Sequence, residues 1–460
     1  MLRAFRGFSL QSILSAVVPA LCLFGCSASK PPAPVAAPLR AAPAAYAPTL
    51  PPPPHPIVIH TAPGANVMLG IDVLEADHFS ILKGKRIGLL THPAGVDRRG
   101  VSTIEILRHA PGVNLVALFG GEHGVYTEHS GGENYGDRRD PKTGLMMYSL
   151  YTGRGNIPTH QQLQGIDALV IDLQDIGSRS YTFISAMKLA LEGCFLNNVE
   201  VIVLDRPNPL GGLKVDGPLL DPQWVSYAGE FRVPYVHGLT IAELACMAKE
   251  APGVLNIPDA VRARGRLTIV AMKGWHRSMR WPDTGLTWIE TSPYVTDYQA
   301  AVGYPMTGLG CYFGGFTHGV GNMYAFRGIS HKTVKLDIVE KRLRALAIPG
   351  IDFRRVSAPN AHTGQPAIGL YVEVTDWDQW HPTELNFWLM KLACELDPKN
   401  PFVVSPKDAG GFLRHMGSTA FFNDIAAHGA RVDIAAYLKE WREKDRIYQE
   451  QSKRYWLYRN

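Results

Sequence analysis

The chain has 460 residues, of which 46% are hydrophobic and 19% are charged, and its formal net charge is +5 at pH 7. This composition is typical of a globular protein, and the chain is long enough for two domains of ~100 to 200 residues each. The basic residues are dispersed rather than gathered in a stripe with interleaved aromatic residues, so we expect no nucleic-acid partner.

The first 25 residues have the pattern of a secretory signal peptide. A basic start precedes an apolar run over residues 13–24, which is shorter than the ~20 residues that a permanent membrane-spanning helix requires. Residues 1–25 are therefore expected to be removed during export.

Cys26 directly follows the small residue Gly25, and this stretch resembles the lipid-acceptor site of bacterial lipoproteins. Two or more acyl chains would hold a bilayer firmly, since each buried methylene contributes ~0.8 kcal/mol. We expect an exported, membrane-anchored protein, periplasmic or at the cell surface, and at the outer membrane if the host has one. A plain signal peptide with an incidental cysteine is the alternative.

The segment that follows Cys26, up to residue 64, is dominated by proline and alanine. Such a sequence cannot bury enough apolar surface to fold, and it extends at ~3 Å per residue. Residues 26–64 are therefore predicted to be a linker that carries the lipid and holds the folded body away from the membrane.

The folded body is predicted to be α/β. Short apolar runs over residues 86–91, 115–119, 168–173 and 200–205 read as strands, and residues 102–109 and 180–197 have helical spacing between them. Uniformly apolar strands that alternate with helices indicate a parallel sheet covered on both faces. We expect a Rossmann-like domain over residues 65–250, a Trp- and Gly-rich connection over 251–294, and a smaller α+β domain over 295–460 with a strand at 371–375 and a helix at 434–455.

No motif indicates a cofactor or a metal. The strands are not followed by Gly-x-Gly-x-x-Gly or a Walker loop, and there is neither a Gly-x-Ser-x-Gly elbow nor a His-Glu-x-x-His motif. The cysteines of the body, Cys194, Cys246, Cys311 and Cys394, are widely spaced, which argues against a structural zinc site and a disulfide-rich scaffold.

Polar side chains follow each of the four predicted strands. They are His92 after the first, Glu122 and His123 after the second, Asp172, Asp175, Arg179 and Tyr181 after the third, and Asp205, Arg206 and Asn208 after the fourth. Each taken alone fits a turn or a helix cap. Because ligands bind outside the carboxyl ends of parallel strands, we expect these groups to converge. Converging carboxyl groups suit glycoside hydrolysis, which needs one acid to protonate the leaving oxygen and a second group to activate water or attack.

Several sequence blocks, in this order and spacing, resemble the exo-acting β-N-acetylmuramidases of glycoside hydrolase family 171. The blocks are residues 70–74, 83–91, 122–124, 140–144, 148–151, 172–182, 204–208 and 237–240. The resemblance runs from about residue 69 to the Tyr-rich end of the chain.

The resemblance implies a Rossmann-like domain joined to a smaller α+β domain, with the active site in the cleft between them. It implies release of N-acetylmuramic acid from the non-reducing end of peptidoglycan fragments in wall turnover or recycling, with no cofactor. Glu122 is then the general acid/base, with His123 and Asp175 as further catalytic candidates. The candidate substrate-binding residues are His92, Glu133, Asp172, Arg179, Tyr181, Asp205, Arg206, Asn208 and His237.

The chain departs from the family pattern near residues 311–322, where a Glu-Gly-Thr block and a Gly-Arg-Gly-Thr block are replaced. It also has His92 where many relatives carry Asn and Tyr126 where they carry Arg. The Arg lost from the Gly-Arg-Gly-Thr block is a natural bidentate partner for the lactyl carboxylate of muramic acid. A peptidoglycan-binding lipoprotein without turnover is therefore the first alternative.

The second alternative is a metal-dependent hydrolase, because two Glu and two His lie close together in the sequence over residues 122–129. Their spacing matches no established ligand set.

Overall fold

The computed structural model describes residues 57–59, 67–153, 155–360 and 363–459. The predicted signal peptide, Cys26 and most of the predicted linker therefore lie outside the described residues. The strands are β1 (Ile57–Ile59), β2 (Arg86–Thr91), β3 (Asn114–Gly120), β4 (Arg138–Arg139), β5 (Met146–Ser149), β6 (Ala168–Asp172), β7 (Glu200–Leu204), β8 (Leu267–Val270), β9 (Phe316–His318), β10 (Gly328–His331), β11 (Ile351–Pro359) and β12 (Pro366–Val374).

The α-helices are α1 (Gly70–Ala76), α2 (Thr103–His109), α3 (His160–Leu163), α4 (Phe183–Leu196), α5 (Ile241–Glu250), α6 (Asp259–Arg264), α7 (Tyr298–Thr307), α8 (Leu336–Ala345), α9 (Glu384–Leu396), α10 (Pro406–Met416), α11 (Thr419–His428) and α12 (Ile434–Ser452). Within the described ranges, none of these helices is long and apolar enough to cross a bilayer.

A large, mostly parallel sheet forms the first domain, in the order β1-β8-β7-β6-β2-β3-β5-β4. Only β4 runs antiparallel to its neighbour. Helices α4 and α5 pack in the core on one face, and α1 and α2 pack on the other. The four predicted strands and the α/β class are thus confirmed, and burial on both faces explains why β6 is apolar along almost its whole length.

The order of the strands reverses between β2 and β6. The chain builds β3 and β5 on one side of β2 and then returns to place β6, β7 and β8 on the other. A crevice at the carboxyl ends of the strands is the usual ligand site of such sheets at this switch point. The fold therefore directs attention to the loops after β2, β3 and β6.

The second domain contains a four-stranded antiparallel sheet in the order β11-β12-β10-β9. Helices α8 to α12 pack with this sheet around a core of their own. The predicted strand at 371–375 lies largely in β12, and the predicted helix at 434–455 corresponds to α12 and the short 3-10 turn after it. These features confirm the predicted smaller α+β part.

Residues 251–294, expected to connect the two domains, contain α6 and β8, and β8 pairs with β7 and β1 inside the large sheet. Strand β1 itself comes from the segment predicted as linker. The chain end also returns to the first domain, where the Tyr458 hydroxyl donates to Asp205. The two domains are therefore not formed by two consecutive segments of the chain.

Helix α12 buries a carboxyl group against the first domain. Asp445 Oδ2 accepts a hydrogen bond from the Gly217 amide at 3.0 Å, while Oδ1 is buried without a partner among the described residues. Burial, reinforced by nearby Asp216, raises the pKa of Asp445 to about 9. The folded protein therefore holds a proton here that the unfolded chain releases above pH ~4.

We predict that Asp445→Asn stabilises the protein increasingly as the pH rises from 5 to 8. A raised folded-state pKa gives stability that is complete below the unfolded pKa and is lost as the pH rises toward the folded pKa. The neutral amide removes this loss, which grows by up to about 1.4 kcal/mol per pH unit. Thermal unfolding at several pH values checks the prediction, with exposed Asp433→Asn as control. Parallel profiles for wild type and Asp445→Asn would contradict it.

Candidate active site

A cavity of about 190 Å³ opens where the two domains meet, at the carboxyl ends of β3 and β6. It is lined by Glu122, His123, Gly131, Ser180, Tyr181, Thr182, Phe183, Ser292, Tyr294, Val295, Tyr304, Phe326 and His415. The loops after the strands supply one wall, and the segment before α7, α7 itself and the end of α10 supply the other. The cleft between the domains, expected from the family resemblance, is thus present and holds Glu122.

Both oxygens of the Glu122 carboxylate accept a hydrogen bond. Oε1 accepts a hydrogen bond from the Gly132 amide at 2.8 Å, and Oε2 accepts one from the Thr182 hydroxyl at 2.7 Å. Thr182 begins α4 but its hydroxyl makes no capping bond to that helix. The hydroxyl is therefore dedicated to the carboxylate.

His123 lies beside Glu122 in the left-handed backbone region, with φ of 72°, and is followed by Gly124 with φ of 81°. This sharp turn brings both side chains to the cavity. The His123 Nδ1 atom lies 3.0 Å from the carbonyl oxygen of His129, so Nδ1 carries the proton and donates it. The His123 side chain lines the cavity together with Glu122.

Buried phenols surround Glu122. Burial, together with the nearby Glu122 carboxylate, raises the pKa of Tyr151 and that of Tyr304 to about 12. The Tyr181 hydroxyl donates to Thr291 Oγ1 at 2.7 Å, and burial raises its pKa as well. These phenols stay neutral at physiological pH and can donate hydrogen bonds to a ligand or to the carboxylate.

Ser180 and Thr182 of the first domain line the cavity. They lie in the 172–182 block but were not predicted as site residues. His415, Tyr304 and Phe326 come from the second domain. They were not among the predicted site residues, because the packing of the domains brings them to the cavity.

The residues that depart from the family pattern lie next to this cavity. The ring of His318 stacks on Phe326 with centroids 4.4 Å apart and planes 11° apart, and Phe326 lines the cavity. Cys311 and Phe313 instead pack against the core of the second domain. One of the replaced blocks thus shapes a cavity wall, because its His318 stacks on Phe326.

Asp172 and Arg206 form a buried, bidentate ion pair away from the cavity lining. Arg206 Nε donates to Asp172 Oδ1 at 2.6 Å and Nη2 donates to Oδ2 at 2.9 Å, and Thr103 also donates to Oδ2. Arg206 further lines a separate cavity of about 170 Å³ with Gln174 and Trp281. The pair therefore lies outside the Glu122 cavity, and its substrate-binding role stays a prediction.

Arg179, also predicted to bind substrate, is a clamp between the domains. Its guanidinium is fully buried and donates to the carbonyls of Pro218 and Val233 and to those of His415 and Met416, at 2.7 to 3.0 Å. Burial lowers the pKa of Arg179 to about 10, so the charge remains at neutral pH. With four carbonyl partners it does not reach the cavity lining.

Asp205 and Asn208 organise the backbone behind the site. Asp205 accepts from the Thr240 hydroxyl at 2.8 Å and the Ala242 amide at 3.1 Å, at the start of α5, and burial raises its pKa to about 7. Asn208 donates to the Leu239 carbonyl at 3.0 Å. Both are buried and neither lines the cavity, so their predicted contact with substrate stays a prediction.

His92, Asp175 and His237 form a buried layer beneath the cavity. His92 Nε2 accepts from the Gln174 amide at 2.9 Å, its ring contacts Phe183 edge-on, and burial with nearby Arg206 lowers its pKa to about 3. Asp175 Oδ2 accepts from the Gly177 amide at 2.7 Å and lies 3.3 Å from His237 Nε2. These residues support the lining from behind.

Glu133 is placed on the same loop as Glu122, but its side chain is half-exposed and bonds to His129 Nδ1 at 3.0 Å. That bond lowers the pKa of Glu133. Glu128 pairs with Arg138. In the part of the chain that the structure describes, no group of three or more His, Cys, Asp or Glu side chains is arranged to hold a metal ion.

Comparisons with known proteins identify the family. Two family models match the chain: "Exo-beta-N-acetylmuramidase NamZ, N-terminal" over residues 87–299 and "Exo-beta-N-acetylmuramidase NamZ, C-terminal" over residues 302–458. The peptidoglycan beta-N-acetylmuramidase NamZ of Bacillus subtilis (strain 168) is 37% identical over 343 residues, which are 74% of this chain and 80% of that protein.

Two crystal structures of DUF1343 family proteins from Bacteroides fragilis NCTC 9343 have the same fold. One is 35% identical with a TM-score of 0.76, and the other is 24% identical with a TM-score of 0.63. Each match covers 86% of this chain and all of the solved chain. With both family models and a relative of 37% identity in agreement, the chain belongs to the exo-β-N-acetylmuramidase NamZ family and is a glycosidase.

Proposed function

We propose that this glycosidase releases N-acetylmuramic acid from the non-reducing end of peptidoglycan fragments during cell-wall turnover. The observation that carries the proposal is the placement of Glu122, doubly hydrogen-bonded, in a cavity built by both domains of a NamZ-type chain. The Bacillus subtilis relative is a peptidoglycan β-N-acetylmuramidase, and its activity supports the same class of substrate here.

The size of the cavity favours a terminal sugar. Its volume of about 190 Å³ is smaller than the ~300 to 1,000 Å³ typical of pockets for drug-sized ligands. A pocket of this size accommodates one sugar residue rather than a stretch of glycan. This supports action at a chain end.

Glu122 has the partners that an acid/base needs. The Gly132 amide can only donate, so Oε1 stays an acceptor in both protonation states. The Thr182 hydroxyl can donate or accept, so Oε2 can carry a proton or lose it without losing its partner. The proton-carrying oxygen of Glu122 is therefore Oε2.

In the proposed reaction, Glu122 Oε2 gives its proton to the glycosidic oxygen as the bond from that oxygen to the anomeric carbon breaks. Water supplies the hydroxyl that bonds to the anomeric carbon, and the remaining proton of that water restores the acid form of Glu122. His123 lines the same cavity and supports this step as a hydrogen-bonding residue.

We predict that Glu122→Gln lowers release of N-acetylmuramic acid from a muramyl-glucosamine disaccharide by at least 100-fold. The amide cannot transfer a proton, and general acid–base catalysis contributes ~10² to 10⁴-fold. The matched control is Glu105→Gln on α2, whose half-exposed carboxylate pairs with Arg108 outside the cavity lining and should leave release within a few-fold of wild type.

Chromatographic quantification of the free sugar measures both variants. A folded wild-type protein that binds the disaccharide without releasing sugar would support the non-catalytic wall-binding alternative instead. Equal losses in the two variants would contradict the assignment of Glu122.

We predict that Thr182→Val lowers kcat by about 10- to 100-fold while Thr182→Ser stays near wild type. A hydrogen bond to a charged group contributes about 1.5 to 3 kcal/mol, and each 1.36 kcal/mol is tenfold in rate. The helix should tolerate valine because the Thr182 hydroxyl makes no capping bond. Steady-state kinetics on the same disaccharide decides the matter, and an unchanged kcat in Thr182→Val would count against the role of Oε2.

We further propose that the enzyme is exported and held at a membrane by a lipid on Cys26. The signal-like residues 1–25 and the Pro/Ala-rich segment that follows support this location. A tether of this kind suits an enzyme that acts on a polymer layer next to the membrane.

Cys26→Ser is expected to abolish incorporation of a clickable fatty acid and to move the protein from the membrane to the soluble fraction. The control is Cys22→Ser, which changes a cysteine inside the apolar run and should leave lipidation intact. Labelling of the cells followed by fractionation measures both. Membrane retention and labelling of Cys26→Ser would refute the anchor.

A further inference from the structure

His415 is the one ionisable side chain that α10 places in the cavity lining. It comes from the second domain, and it lines the same cavity as Glu122. The two groups are close enough to interact electrostatically. His415 therefore faces the catalytic carboxylate from the opposite domain.

The imidazole of His415 has no assigned structural task. No hydrogen bond to either ring nitrogen occurs within the described ranges, and the half-buried side chain lines the cavity. The nearest aromatic neighbour, Tyr312, has its centroid 6.2 Å away. Both nitrogens are therefore available to a ligand in the cavity.

The backbone at His415 is held firmly. Arg179 Nη2 donates to the carbonyls of His415 and Met416, and Gly417 has φ of 95° and leaves no room for a side chain beside that guanidinium. The Asp221 amide donates to the Gly417 carbonyl at 2.8 Å. These contacts use the backbone alone, so they fix the position of the ring without engaging it.

The protonation state of the ring suits a neutral ligand. Burial lowers the pKa of His415, with Arg179 and Arg414 acting in the same direction and Glu122 in the opposite one. At neutral pH the ring is therefore uncharged, with one nitrogen as donor and the other as acceptor. Sugar hydroxyl and acetamido groups match that pair.

We propose that His415 binds the sugar that occupies the cavity opposite Glu122, with Arg179 as the positioning residue that holds it there. This inference rests on the proposed function for the identity of the sugar. It gives the second domain a direct part in substrate recognition, and it explains why the buried arginine of the 172–182 block reaches across to α10.

The test compares His415→Ala with His415→Gln in the full chain. His415→Ala should lower kcat/KM on the muramyl-glucosamine disaccharide by about 10-fold or more, mainly through a higher KM, because it removes hydrogen bonds made to bound substrate. Glutamine keeps a donor and an acceptor and should recover most of that loss. Exposed Lys407→Ala at the start of α10 is the control, and circular dichroism checks that each variant is folded.

A second measurement does not depend on turnover. In Glu122→Gln protein, the Cε1–H NMR resonance of His415, assigned from its absence in His415→Gln, should shift on addition of N-acetylmuramic acid. An unchanged KM in His415→Ala or an unshifted resonance with the sugar bound would overturn the proposal. If wild type releases no sugar, the proposed reaction fails, and the resonance still decides whether His415 binds the sugar. Absence of sugar binding would overturn both.

Discussion

The buried guanidinium of Arg179 is the constraint on which the site depends. It follows β6 in the first domain and donates to carbonyls on both sides of the domain boundary, including those at the end of α10. A buried charge without a carboxylate partner is tolerable only because four carbonyl dipoles surround it. The same bonds connect the loop after β6, which carries Thr182, to the helix that carries His415. The cavity is thus a consequence of how the domains are joined.

Much of the fold followed from local pattern. The four apolar runs correspond to β2, β3, β6 and β7, because a strand that is buried on both faces consists mainly of apolar residues. The sequence blocks shared with the family predicted the order of the two domains. Glu122, His123 and Tyr181 were found in the cavity for the same reason, since the loops after β3 and β6 converge at the carboxyl edge. Strand β8 was not predicted. Its four residues lie in a Trp- and Gly-rich stretch that was interpreted as a connection between the domains.

Most of the other candidate residues could not be sorted from the sequence. A carboxylate after a strand has the same appearance whether it caps the next helix, pairs with an arginine or meets a ligand. Asp205 caps α5 and Asp172 pairs with Arg206, and only three-dimensional packing separates them from Glu122. His415 could not be predicted for a different reason. It is 293 residues from Glu122 in the sequence, and the packing of the domains, which includes the bond from Arg179 to its carbonyl, brings it to the same cavity.

The central claim is that a terminal muramyl sugar binds between Glu122 and His415. A crystal structure of Glu122→Gln protein with the muramyl-glucosamine disaccharide tests it most directly. The account predicts the glycosidic oxygen within ~2.6 to 3.2 Å of the residue-122 side chain, with the muramyl ring against the His415 imidazole. A disaccharide bound instead in the separate cavity beside Arg206, with the Glu122 cavity filled only by water, would contradict it.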